Sequence, residues 1–246
     1  MAGRFPGFSA LTMALFGLSY YQRTAVKTAP DIYSDRIEAG QILAWQIIKE
    51  IQGIEAENPV VVGLPRGGVV VAHEVAKRLN CGLDVLMAGK LRAPDNPEFA
   101  IGAITEDGLV YLNESTLSMF NAGELYLEAE KKERLSALRQ RLKNYRKVKK
   151  KIPLTGRTVI IVDDGLATGS TMISAIRAAH AEAAKKIIAA IPGGPEDTVR
   201  RIESMPEVAA VICPLKPEPF FAVSQLYMEF GQTEDETVIE ILRARG

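Results

Sequence analysis

TVIIVDDGLATGST, Thr158 to Thr171, is the stretch from which the rest of the chain can be read. Four apolar β-formers, Val159 to Val162, make a short run of the kind found in a strand buried on both faces. The run ends in two adjacent acids, Asp163 and Asp164, and a loop of small and hydroxyl residues follows, opening a helix near Gly169. In a parallel sheet, ligands sit at the carboxyl ends of the strands, so this order puts both carboxylates at the ligand edge. Gly165, Leu166, Ala167, Thr168, Gly169, Ser170 and Thr171 form a loop whose backbone can approach an anion closely. The helix N-terminus adds partial positive charge, and the hydroxyls can donate hydrogen bonds. A phosphate cradle beside two carboxylates suits a ligand with a phosphate at one end and vicinal hydroxyls nearby, which is a phosphorylated ribose. The loop lacks the lysine of a Walker A motif, which disfavours an ATPase or GTPase.

The flanking sequence alternates strand and helix. Ser34 to Gly53 has helical spacing of apolar residues behind a serine cap; Pro59 to Gly63 (PVVVG) reads as a strand, and the loop LPRGG leads to a helix near Val69 to Leu79. Leu83 to Ala88, Lys186 to Ile191 and Val208 to Cys213 read as further strands. Ile101 to Thr105 and Leu109 to Leu112, split by Glu106-Asp107-Gly108, read as a hairpin. Ser115 to about Lys151 has one long helical pattern. The expected fold is α/β: a three-layer, mostly parallel sheet flanked by helices, with an antiparallel edge hairpin. It spans residues 32–246 as one domain, including a C-terminal cap over 214–246, after a loosely ordered extension over 1–31. Within that extension Phe8 to Tyr21 is apolar but too short to span a bilayer, and no A-x-A-like cleavage site follows it.

Thirty basic residues balance thirty acidic ones, so no whole-molecule field draws the chain to nucleic acid or an anionic membrane. Two cysteines, Cys81 and Cys213, lie far apart without metal-ligand spacing, which fits a reducing cytoplasm and argues against structural zinc. Arg139 to Lys151 holds eight basic residues and no acid. Leu142, Tyr145 and Val148 interleave with them as on a solvated helix face, so nucleic acid is not the expected partner.

VIIVDDGLATGST resembles the 5-phosphoribosyl-1-pyrophosphate (PRPP) binding motif of type I phosphoribosyltransferases: four hydrophobic residues, two acids, then a loop of the form T-G-x-T. GLPRGGVVVAHEVA, Gly63 to Ala76, resembles that family's pyrophosphate loop, and KLRAPDNPEFAIGAI, Lys90 to Ile104, falls where its flexible loop and hairpin begin. The whole chain is similar to bacterial single-domain members of that family whose acceptor is not established. The resemblance implies Mg²⁺ held mainly by the ligand, with Asp163 and Asp164 on the ribose hydroxyls directly or through the ion. It implies that Ala167 to Thr171 hold the 5′-phosphate and that Arg66, Gly67 and Gly68 hold the pyrophosphate. It further implies that Lys90 and Arg92 close over the leaving group from a mobile segment, Lys90 to Phe99, and that the Pro65–Arg66 peptide is cis.

The implied reaction is phosphoribosyl transfer to, or phosphorolysis from, a small nitrogenous acceptor such as a nucleobase. The alternative is a PRPP or nucleotide sensor of the same fold without turnover. Ala167 stands where the 6-oxopurine branch carries an acid, so the loop is closer to an adenine-type loop. Phe220, Phe221, Tyr227 and Phe230 are available either to pack the C-terminal cap or to stack on a planar acceptor. The resemblance leaves the oligomeric state open, a homodimer included.

Overall fold

A computed structural model of the chain describes residues 31–94, 96–112, 117, 119, 120 and 122–245. The extension expected over 1–31 lies outside them but for Asp31, and so do Asp95 and the first residues of the long helical pattern. Helix α1 (Arg36–Glu50) opens at Asp35 rather than Ser34: Asp35 Oδ1 accepts from the amides of Ile37 and Glu38 at 2.8 and 2.9 Å. The expectation of a serine cap is therefore corrected by one residue. Glu38, three positions after Asp35, accepts from the Ser34 amide at 2.7 Å, one residue before the cap.

Strand β1 (Val60–Gly63) is followed by α2 (Gly67–Leu79) and β2 (Gly82–Val85). Next come β3 (Gly89–Ala93), β4 (Asn96–Ile104), β5 (Val110–Leu112) and the 25-residue helix α3 (Glu124–Val148). The chain then runs through β6 (Thr158–Val162), α4 (Ser170–Ala181), β7 (Lys186–Ala190), α5 (Glu196–Glu203), β8 (Ala210–Ile212) and α6 (Asp235–Ala244). Five strands form a parallel sheet in the order β2-β1-β6-β7-β8. Its strands are mostly apolar because both faces are covered. Val61, Ile160 and Ile188 pack under α1 and α2, while Val60, Val62, Val159 and Ile161 face α4 and α5. Successive residues point to opposite faces, so the same run of valines and isoleucines builds two cores. Helices α3 and α6 cover the end of β2 through Leu138, Leu142, Tyr145, Val238 and Leu242. Among the described residues no helix is long and apolar enough to cross a membrane.

The expected hairpin is present, with Gly102, Ala103 and Ile104 paired antiparallel to Leu112, Tyr111 and Val110. It does not lie on the edge of the parallel sheet; β3, β4 and β5 make a separate three-stranded sheet. The segment expected as a mobile loop from Lys90 is thus largely strand. Leu91 and Ala93 point into a small core with Ile101 and Ile104, a period-two pattern of only two small apolar residues inside a polar stretch. The register shifts on either side of Arg92, which bends the strand there.

Replacing Asp35 with Ala should cost about 1 kcal/mol, as loss of a helix cap does. Ser34→Ala should cost less, because the Ser34 amide keeps its bond to Glu38. Urea denaturation of both variants checks the order.

Candidate functional site

The site lies where the strand order reverses. From β1 the chain turns to α2 on one face, and from β6 to α4 on the other, so a crevice opens between the two carboxyl ends. The Leu64 amide donates to the Val162 carbonyl at 2.9 Å and holds the two strand ends together. Beyond it the Pro65–Arg66 peptide is cis. The two glycines that follow lie directly on the aspartates: a Cβ on Gly67 would stand 1.9 Å from Asp164 Oδ2, and one on Gly68 would stand 2.8 Å from Asp163 Cα. A side chain at Gly68 would meet the backbone of Val162 and Asp163, and one at Gly67 would displace the Asp164 carboxylate and Arg36.

Asp163 and Asp164 differ in surroundings. Asp163 Oδ1 accepts from the Asp164 amide at 2.9 Å. Burial, and next the neighbouring Asp164 carboxylate, push the Asp163 carboxyl well above the usual carboxylate range. Asp164 is ion-paired instead, with Arg36 Nε 2.8 Å from its Oδ2 and both side chains largely buried. Arg36 also donates to the Gly231 carbonyl at 2.8 Å and lies with its guanidinium 4.0 Å from the Phe230 ring centre. Tyr227 stacks on Phe230 at 5.1 Å and donates its hydroxyl to the Asp164 carbonyl at 2.5 Å.

The loop after the aspartates is anchored on its far side. Leu166 is buried, and its amide donates to the Gly193 carbonyl at 2.9 Å. Thr198 donates to the Ala167 carbonyl at 3.1 Å, and Arg201 donates to the Thr168 carbonyl, both from α5. Gly169 has φ +72°, in the left-handed region, and gives way to α4 with no side-chain cap. The first-turn amides of α4 thus have no intrahelical acceptors, and Thr168, Ser170 and Thr171 are exposed beside them. These are the features of an anion cradle.

The structure brings Arg66, Gly67, Gly68, Asp163, Asp164 and the loop Gly165 to Thr171 to one sheet edge. Lys90 lines a cavity of about 270 Å³ with Leu64, Pro65, Ser170 and Thr171. Arg92 is elsewhere: its Nε and backbone amide each donate to Glu130 Oε1 at 3.0 Å, and Tyr126 donates to its carbonyl at 3.0 Å. It therefore acts as a strut between β3 and α3 in this conformation. Arg66 pairs with Glu234 at 3.2 Å on the open side. Among the described residues no group of three or more His, Cys, Asp or Glu could hold a metal ion by itself. Of the four aromatics of the C-terminal cap, Tyr227 and Phe230 carry Arg36, Phe220 packs with Tyr33 and Ile42, and Phe221 is 83% exposed.

Sequence reasoning did not single out Arg36. One signal was available: an arginine at the first position of a helix opposes the helix dipole, so another interaction must hold it there.

This edge sets two glycines against two strand-end carboxylates beside an open hydroxyl loop. The phosphoribosyl transferase domain family matches residues 33–205, and the chain belongs to that family. Two Mycobacterium tuberculosis proteins, from two strains, have names that class them with the phosphoribosyl transferases. Each is 41% identical to this chain over 211 residues, which is 86% of this chain and 46% of theirs. The chain thus spans about half the length of these relatives. The crystal structure of the Thermus thermophilus protein TT1426 is 39% identical with a TM-score of 0.79, covering 87% of this chain and 99% of that one.

Asp163→Asn keeps an acceptor for the Asp164 amide and removes a carboxylate that the fold holds at a cost. At neutral pH the variant should melt higher, by about 2–4 °C for each 1 kcal/mol recovered. The sign follows from the raised value: between the unfolded and folded pKa the native state holds a proton that the unfolded chain has lost, so wild-type stability falls as pH rises. The variant lacks that fall. Calorimetric melting should show the gap widening as pH rises through the folded value and closing below the ordinary carboxylate range.

Proposed function

We propose that this chain transfers the phosphoribosyl group of PRPP to a small nitrogenous acceptor with release of pyrophosphate, or runs the reverse phosphorolysis. One observation carries the reading. Two adjacent carboxylates at the end of β6 stand between a glycine loop packed directly on them and an uncapped helix N-terminus lined with hydroxyls. In this reading the 5′-phosphate takes the amides and hydroxyls of Ala167 to Thr171. The ribose hydroxyls donate to Asp163 and Asp164, and Arg66 with the Gly67 and Gly68 backbone takes the pyrophosphate. The bond from C1′ to the pyrophosphate oxygen breaks, with its electron pair leaving on that oxygen. The acceptor nitrogen supplies the pair for the new bond to C1′ and gives up its proton to solvent or a nearby base. Positive charge grows on the ring in between, and the carboxylates beside it stabilise that charge. Lys90, lining the cavity beside Ser170 and Thr171, neutralises the leaving group.

Two carboxylates without a third ligand fit a Mg²⁺ that takes most of its shell from water and phosphate, and Asp163 and Asp164 are the residues that would hold it. When bound it supplies charge neutralisation for the pyrophosphate. A cavity of about 400 Å³ lined by Arg36, Arg66, Gly67, Phe230 and Gly231 to Thr233 opens beside Asp164 and suits a planar acceptor set against Phe230. The rival reading, a sensor without turnover, draws support from Arg92, which Glu130 holds away from this edge.

Pyrophosphate release is the deciding measurement, with PRPP, Mg²⁺ and a panel of bases and amines. Release with one acceptor is expected, and Asp163→Asn with Asp164→Asn should lower kcat/KM by about 10²-fold or more. Lys90→Ala should reduce turnover far more than PRPP affinity. PRPP binding without release across the panel would favour the sensor, and an unaffected double variant would remove the ribose assignment.

A further inference from the structure

We infer that Arg141, on α3, binds the diphosphate end of the ligand, an inference that rests on reading the site as a PRPP site. Pro65, Met87 and Arg141 line both the cavity that holds Lys90, Ser170 and Thr171 and a neighbouring one of about 480 Å³ that holds Arg66, Tyr145 and Asp235. Of those three shared residues only Arg141 is charged. It joins the hydroxyl-lined space at the start of α4 to the space around Arg66.

Its direction follows from helix geometry. Leu138, Leu142 and Tyr145 are the buried stripe of α3, and Arg141 lies three residues after the first and four before the last. Residues at that spacing share a face, so Arg141 flanks the stripe as an exposed side chain on the side that lines both cavities. The Tyr145 hydroxyl donates to Asp235, which ties α3 to α6 beside it. Arg66, Arg141 and Tyr145 line one cavity; burial and the Asp235 carboxylate raise the Tyr145 hydroxyl, and the positive charges of Arg66 and Arg141 act against that rise.

Five of the other seven cations of the basic stretch are occupied by neighbours, and the remaining two, Lys143 and Lys150, line neither cavity. Arg139 donates to the Glu106 carbonyl, Arg146 pairs with Asp84 and Glu106, and Lys151 pairs with Asp107 and Glu182. Lys147 bonds to Asn144, and Lys149 bonds to the Arg245 carbonyl. Among the described residues Arg141 has no acid within ion-pair distance. Together with Arg66 and Lys90 it surrounds Pro65 with cations, an arrangement that attracts a multiply charged anion. A planar guanidinium fork suits two phosphate oxygens at once.

Calorimetry in Mg²⁺ with PRPP, inorganic pyrophosphate and ribose 5-phosphate tests this on wild type, Arg141→Gln and Lys143→Gln. Arg141→Gln should weaken PRPP and pyrophosphate binding by about ten-fold or more, the scale of one charge-assisted hydrogen bond, and leave ribose 5-phosphate within about two-fold. Lys143→Gln, an equal change in net charge on the same helix, should leave all three unchanged. If wild type binds PRPP and Arg141→Gln binds pyrophosphate equally well, the role of Arg141 is overturned while the site reading stands. An equal loss for ribose 5-phosphate in Arg141→Gln, or for pyrophosphate in Lys143→Gln, also overturns it. Wild type that binds neither PRPP nor ribose 5-phosphate removes the site reading, and Arg141 with it.

Discussion

Everything at the ligand edge depends on the close approach of the turn after β1 to the end of β6. The two strands are neighbours in register, Gly63 beside Val162, and the Leu64 amide extends their pairing by one further bond to the Val162 carbonyl. That bond sets Gly67 and Gly68 directly against the aspartates. Because α2 and α4 leave on opposite faces, the crevice between them faces solvent and is lined on both sides by helix N-termini. The two positive helix ends and the two carboxylates are therefore set against each other within one small space, which suits a ligand carrying both phosphates and hydroxyls.

Concentrating two acids at one strand end has an electrostatic cost, and much of the surrounding structure offsets it. Arg36 neutralises Asp164, but an arginine at the start of α1 must itself be held against the helix dipole. Phe230, the Gly231 carbonyl and the Tyr227 stack hold it. These belong to the C-terminal segment, which is fastened to the chain before α1 by the Tyr33 amide on the Leu226 carbonyl and by the Met228 and Glu229 amides on the Tyr33 and Ser34 carbonyls. Ends of the chain almost two hundred residues apart thus meet to support one carboxylate. Among the described residues no cation lies within ion-pair distance of Asp163, and its carboxyl remains raised.

The basic half of α3 shows how composition can mislead. Eight cations without an acid in sequence look like a polyanion surface. In the fold several of them meet acids or carbonyls from other segments: Asp84 from β2, Glu106 and Asp107 from the β4–β5 turn, and Glu182 beyond α4. Their work is to fasten the three-stranded sheet and α3 to the parallel sheet. Charge that is continuous along the chain is divided in space.

Local sequence is enough to place the parallel sheet, the aspartate pair at its edge and the hydroxyl loop after it. Each is a local pattern: a β-branched run, adjacent acids, then small residues opening a helix. Arg66, Gly67 and Gly68 come after PVVVG with two residues between, so their place at the same edge also follows from a local pattern. Only the tertiary structure decided that β3 to β5 form their own sheet, because two inward residues, Leu91 and Ala93, are too weak a period to read. It alone decided that Arg92 serves Glu130 while Lys90, two residues earlier, faces the cavity. The register shifts around Arg92 break the strand's alternation, and which side meets the site depends on where the whole sheet docks. The partnership of Arg36 with Asp164 was likewise beyond reach, since an ion pair spanning 128 positions leaves no periodic trace in the sequence.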